Sequence, residues 1–238
     1  MRIRLPLGRS LFVTLFFLIA LIALVPMRLA IGGLGFDQRG LTARAASGSI
    51  WLGALQEAQV GPVALGDVRA RLNFLPLLIG RARLSLAGTD EAAPFEGAAI
   101  VSRHGFGFED VTGRFRLAGL AAPVAISALD LNDLSAGFES GRCTRAEGRV
   151  RAAVSGVLGG VPVTSNLAGN ARCANDALLL PLVGQSGMEQ LNIRLFQDGR
   201  YRVDLVLRGL DAAAGSRLAA AGFRPSARGH VLQVNGSF

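Results

Sequence analysis

No lysine occurs anywhere in this chain: all 25 basic residues among its 238 are arginine. That alone excludes a G-x-x-x-x-G-K-[ST] phosphate loop, whose lysine reaches the nucleotide phosphates. Histidine is scarce, with only His104 and His230, and the only cysteines are Cys143 and Cys173. These four residues lack the close spacing of a tetrahedral zinc site. There is no H-E-x-x-H, and Gly184-Gln-Ser-Gly-Met188 is one glycine out of register for a G-x-S-x-G elbow. Asp130 and Asp133 fall in an alternating segment, where they read as solvent-facing carboxylates rather than a paired acid and base. The expectation is a protein with no catalytic residue, no cofactor and no metal, and hence not an enzyme.

A formal net charge of +8 suggests nucleic acid as a partner. Its distribution argues otherwise. Arg2, Arg4, Arg9 and Arg28 flank one apolar run, and removing them leaves 21 arginines against 17 acids, or +4, for residues 32–238. That is an ordinary balance, and nucleic acid is not expected as a partner.

The apolar run, Ser10 to Met27, follows a basic and acid-free start. Eighteen helical residues nearly span the hydrocarbon core of a bilayer. The run is longer than the apolar region of most signal peptides, and Pro26 to Ile31 has no convincing pair of small residues for cleavage. We expect an uncleaved transmembrane anchor over 10–31; a signal peptide with a poor cleavage site is the alternative. The positive-inside rule then puts residues 1–9 in the cytoplasm. Residues 32–238 lie across the inner membrane, in the periplasm of a two-membrane bacterium. An even cysteine count in that oxidising compartment points to one disulfide, Cys143 to Cys173, with two buried thiols as the alternative.

Beyond Gly40 the pattern is short strands between glycines. Val68 to Phe74 alternates strictly, and Arg-x-Arg pairs recur at 69/71, 81/83, 114/116, 149/151 and 200/202. On the polar side of a strand such pairs are able to grip carboxylates or lipid phosphates; the plainer reading is that a lysine-free protein uses arginine on every solvated strand face. Leu191–Leu195 and Tyr201–Leu207 read as a hairpin, with Asp198-Gly199 suited to a type I′ turn. Further strands are expected near 41–46, 49–60, 94–102, 127–138, 161–169, 176–183 and 230–238. One short helix is expected from Ala212 to Ala221, capped by Asp211 and stopped by Gly222, with Phe223 packing behind the stop. The fold class is mainly β: an antiparallel β-rich domain, either a sandwich or a curved sheet, with one helix near its C-terminus. If the sheet is curved and open, its apolar face lines a groove able to hold acyl chains. Trp51 reads either as a strand core residue or as an aromatic at the membrane surface.

Several segments, taken in order, resemble the type II secretion system protein N family. They are Gly48-Ser-Ile-Trp-Leu-Gly53, Leu72-Asn-Phe-Leu-Pro-Leu-Leu-Ile-Gly80, Cys143 with Gly148-Arg-Val150, and Leu167-Ala-Gly-Asn-Ala-Arg-Cys173. Leu178-Leu-Leu-Pro-Leu182, Asp198-Gly-Arg-Tyr201, Gly222-Phe223 and Gly236-Ser-Phe238 complete the set. Each is a strand-and-turn signature; the ordered set carries the resemblance. Phe74 stands where the family often has tryptophan. The resemblance implies a single-span inner-membrane accessory subunit that supports export of folded exoproteins, with other secretion subunits as partners. It also implies an architecture similar to AsmA-like periplasmic proteins, so that lipid handling or outer-membrane assembly is the alternative function and lipid the alternative partner.

Overall fold

Alternating side chains need a sheet with two unlike faces, and one continuous sheet is what this chain forms. The computed structural model describes residues 7–29, 41–60, 63–90, 93–116, 126–158 and 160–237. After helix α1 (Leu7–Ala23) come β1 (Leu41–Thr42), β2 (Ala45–Ser49), β3 (Leu52–Val60) and β4 (Val63–Asn73). A single turn of helix, α2 (Phe74–Leu77), leads into β5 (Arg81–Gly88), β6 (Phe95–Ser102), β7 (Gly105–Arg116) and β8 (Ile126–Glu139). Then follow β9 (Arg142–Leu158), β10 (Val161–Asn170), β11 (Arg172–Ala174), β12 (Ala177–Gly184), β13 (Glu189–Phe196) and β14 (Arg200–Leu207). The chain closes with helix α3 (Ala212–Ala220), β15 (Arg224–Ser226) and β16 (Gly229–Ser237).

All sixteen strands belong to one antiparallel sheet that follows chain order almost throughout, β16 lying between β14 and β15. Among the described residues no ladder joins the first strands to the last, and the architecture is a single curled sheet rather than a two-sheet sandwich. The curl is visible at α3, which touches both β10 and β16, four places apart in the ladder. That helix plugs the concave apolar face, with Leu218 fully buried and Phe223 behind it.

The expected caps form. Asp211 Oδ1 accepts the Ala214 N–H at 2.6 Å. Gly222 takes φ +93°, and the Phe223 N–H returns to the Leu218 carbonyl at 3.0 Å. This is a Schellman stop, which needs an αL residue after the helix. Asp198-Gly199 differs from the type I′ geometry expected, in which both central residues have positive φ. Only Gly199 does, at +82°. The Asp198 carboxylate instead accepts the Arg200 N–H at 3.1 Å, the local bond that lets aspartate build a turn from its side chain.

Two apolar clusters result. The larger runs from β8 to β16 and contains cross-strand rows such as Leu182–Leu191–Leu205–Leu232. The smaller joins Leu55, Val68, Ala70, Leu84, Phe95 and Phe115 on β3 to β7, with Met27 inserted from the N-terminal segment. Gly53 makes room for that methionine: a Cβ there would sit 2.9 Å from Met27 Cγ. Sequence reasoning did not anticipate α2, since Val68 to Phe74 reads as one uninterrupted strand. The backbone leaves the sheet at Phe74 because Pro76 follows and lacks the N–H that a ladder requires.

Candidate functional site

The cysteines bridge a place where the ladder fails. β10 pairs with β9 as far as Asn170 opposite Arg149, the Ala171 N–H still donates to the Gly148 carbonyl at 2.9 Å, and beyond it β11 pairs with β12 instead. Cys143 on β9 and Cys173 on β11 form a disulfide across that gap, with Cα atoms 5.4 Å apart. The covalent link replaces hydrogen bonds that diverging strands cannot make.

The polar face of β3 to β7 forms an open trough of about 790 Å³. Register explains its lining: Ala54, Arg69, Ala87 and Glu96 face one another across four strands, and Arg71, Ser85, Ala98 and Glu109 form the next row. Arg83 Nη2 lies 3.5 Å from Glu109 and 3.6 Å from Asp110 and is held between the two carboxylates. Arg69 and Arg71 also line it and make no ion pair among the described residues. Two uncommitted guanidinium groups on a concave wall suit carboxylate groups on a partner, because the arginine fork matches them bidentately.

Of the other arginine pairs, 114/116 and 149/151 share a face, where register sets Arg114, Asp130 and Arg151 in one row across β7, β8 and β9. Arg114 is bidentate to Asp130, whose carboxylate shifts the guanidinium pKa upward by hydrogen bonding and then by charge. Arg145 is raised in the same way by Glu147. Asp198 is lowered, chiefly by the Arg200 backbone N–H and then by its side chain. All three groups are exposed and pair chiefly with one neighbour, Arg145 also feeling the trough carboxylates Glu109 and Asp110, so their shifts reflect surface pairing rather than acid–base chemistry. Asp133 exchanges hydrogen bonds with Thr112. His104 sits in an exposed turn, and His230 lies against Gly215 of α3. Among the described residues no three His, Cys, Asp or Glu side chains come close enough to hold a metal.

A second feature lies at one end of the sheet. Phe74, Leu75, Leu78 and Ile79 leave large apolar side chains in solvent, and Trp51 packs against Phe74 with ring centroids 6.0 Å apart. Here the two segments that opened the resemblance, 48–53 and 72–80, come together in space. A model of the type II secretion system protein N family matches residues 39–232. The chain belongs to that family. No curated protein and no solved structure gives a significant match.

In this protein N, the ordered segments of the sequence map to distinct structural jobs. Gly148 has φ +117° beside a bulge between β8 and β9, and Gly169 lets β12 approach so closely that a Cβ would sit 2.0 Å from the Pro181 carbonyl oxygen. Tyr201 lies over Gly236. As a member of the family the chain is a type II secretion component that works with other components of that system. The acyl groove raised by the AsmA-like architecture finds no support in the C-terminal half, where Leu178, Leu182, Leu191, Val203, Leu205 and Leu218 are all fully buried against one another. Among the described residues no helix is long and apolar enough to cross a membrane, α1 having 17 residues. The expected span overlaps it from Ser10 to Ala23, and residues 30–31 lie outside the described residues.

Proposed function

We propose that this protein N is a non-catalytic accessory subunit of the type II secretion apparatus, anchored in the inner membrane by its N-terminal segment. Residues 1–9 face the cytoplasm and the sheet stands in the periplasm, where it supports export of folded exoproteins across the outer membrane. The family match over 39–232 carries this reading. The disulfide supports the compartment, since such bonds persist in the oxidising periplasm. Docking of other subunits uses the trough wall at Arg69 and Arg71 rather than added strands. The edge strand β15 has only three residues and contains Pro225, which cannot donate to a new ladder. The test is a clean deletion strain. Exoprotein should accumulate in the periplasm, and the wild-type gene should restore its appearance in the medium. Normal secretion with altered outer-membrane permeability would reject this function in favour of envelope lipid handling.

A further inference from the structure

Among the described residues Leu75, Leu78 and Ile79 of the apolar tip at 74–79 stay exposed, yet the position of the tip relative to α1 is fixed. The Ile50 N–H donates to the Val25 carbonyl at 3.0 Å, and Pro26 bridges to Ser49. Met27 then inserts into the smaller core at 3% exposure. Only Leu24 separates the end of α1 from this attachment, a reach of roughly 7 Å of extended chain. The Leu72 N–H donates to the Ile50 carbonyl at 3.0 Å, which ties the start of the tip to the same point. Wherever α1 ends, Trp51 and the tip are beside it.

Helix length sharpens the argument. The described part of α1, 17 residues at 1.5 Å rise, spans about 25 Å, some 5 Å less than a typical hydrocarbon core of about 30 Å. Apart from Thr14, the exposed side chains of α1 among the described ones are apolar, Phe12, Phe16 and Phe17 among them. A short apolar helix is accommodated by local thinning of the bilayer, which draws the flanking segments toward the interface. Leu75 at 76% exposure and Ile79 at 73% are placed to enter it. Tryptophan prefers this depth, and the sole Trp51 stands at the boundary between tip and sheet. Arg28, Arg81 and Arg103 are exposed nearby, at the same end of the sheet, where they suit anionic headgroups.

We infer that the tip formed by Trp51, Phe74, Leu75, Leu78 and Ile79 is a second membrane contact. It inserts into the outer surface of the bilayer that holds α1 and fixes the sheet upright against it. This rests on the membrane-anchored reading above. The full chain, reconstituted in phosphatidylethanolamine–phosphatidylglycerol vesicles, reports directly because it has one tryptophan. Lipids brominated near the headgroup end of the acyl chain should quench Trp51 fluorescence strongly, and lipids brominated near the chain terminus only weakly. The Leu75→Asp, Ile79→Asp double variant should still float with vesicles after alkaline extraction while losing the quenching. A wild-type chain that floats but whose Trp51 is not quenched overturns the second contact and leaves the anchor standing. Release of the wild-type chain by alkaline extraction rejects the anchor, and the second contact with it.

Discussion

Replacing both Cys143 and Cys173 with alanine tests how this sheet is held where its ladder diverges. The cross-link closes a loop of about 30 residues that contains nearly all of β9, the whole of β10 and the start of β11. Constraining such a loop in the unfolded chain corresponds to about 3.5 kcal/mol at 25 °C in the chain-entropy account. Alanine is the better replacement, since Cys143 lies in the larger core at 9% exposure and a serine hydroxyl there would add an unmatched polar group. For a domain of this size each kcal/mol moves Tm by about 2–4 °C, so the double variant should melt roughly 7–14 °C lower. Far-UV circular dichroism of the detergent-solubilised full chain reads this, and reduced wild-type protein should match the variant. Urea unfolding should show a lower midpoint and a steeper slope, because the uncrosslinked unfolded chain exposes more surface. A loss under about 1 kcal/mol would refute the reasoning, by showing that the loop ends already meet in the denatured ensemble.

Gly148→Ala and Gly66→Ala separate backbone strain from crowding. Both glycines have positive φ, but a Cβ at 148 would lie 2.5 Å from Leu134 Cα, whereas nothing stands within 4 Å at 66. Gly66→Ala should cost about 1 kcal/mol, the left-handed penalty alone, and Gly148→Ala about 1–3 kcal/mol more, read from urea midpoints. Asp211→Ala removes the acceptor for the Ala214 N–H and should cost about 1 kcal/mol, while Asp211→Asn should recover most of it. The pKa of Asp198 is lowered in the fold, so its contribution is complete above the ordinary carboxylate value of 3.8 and disappears only as pH falls through the lowered value. The Arg200 amide resonance should therefore titrate below pH 3.8 and lose that inflection in Asp198→Asn, with no change between neutral pH and the onset of titration.

Much of this protein was legible from its sequence, for a local reason. Strand alternation, the Asp211 cap and the Gly222 stop depend on neighbours within a few residues, and β4, β5, β12, β14 and α3 form where such signals stand. The Asp198 turn was misjudged because Asp-Gly suits several turn types, and which one forms depends on the register of β13 and β14. The break at Phe74 was hidden by an alternation that runs through it. By itself the sequence determined a mainly β chain with an apolar N-terminal segment and the ordered segments of protein N. It could not choose between a sandwich and a curved sheet, because both bury the same alternate residues. Only the tertiary structure decided that one sheet curls around α3. Pairing of the neighbouring strands β3, β4 and β5 puts Arg69, Arg71 and Arg83 on one wall and joins Trp51 to Phe74 across 23 residues beside the end of α1. The wall and the ring contact are set by strand register and the curl by twist accumulated over many strands, and no local pattern encodes either.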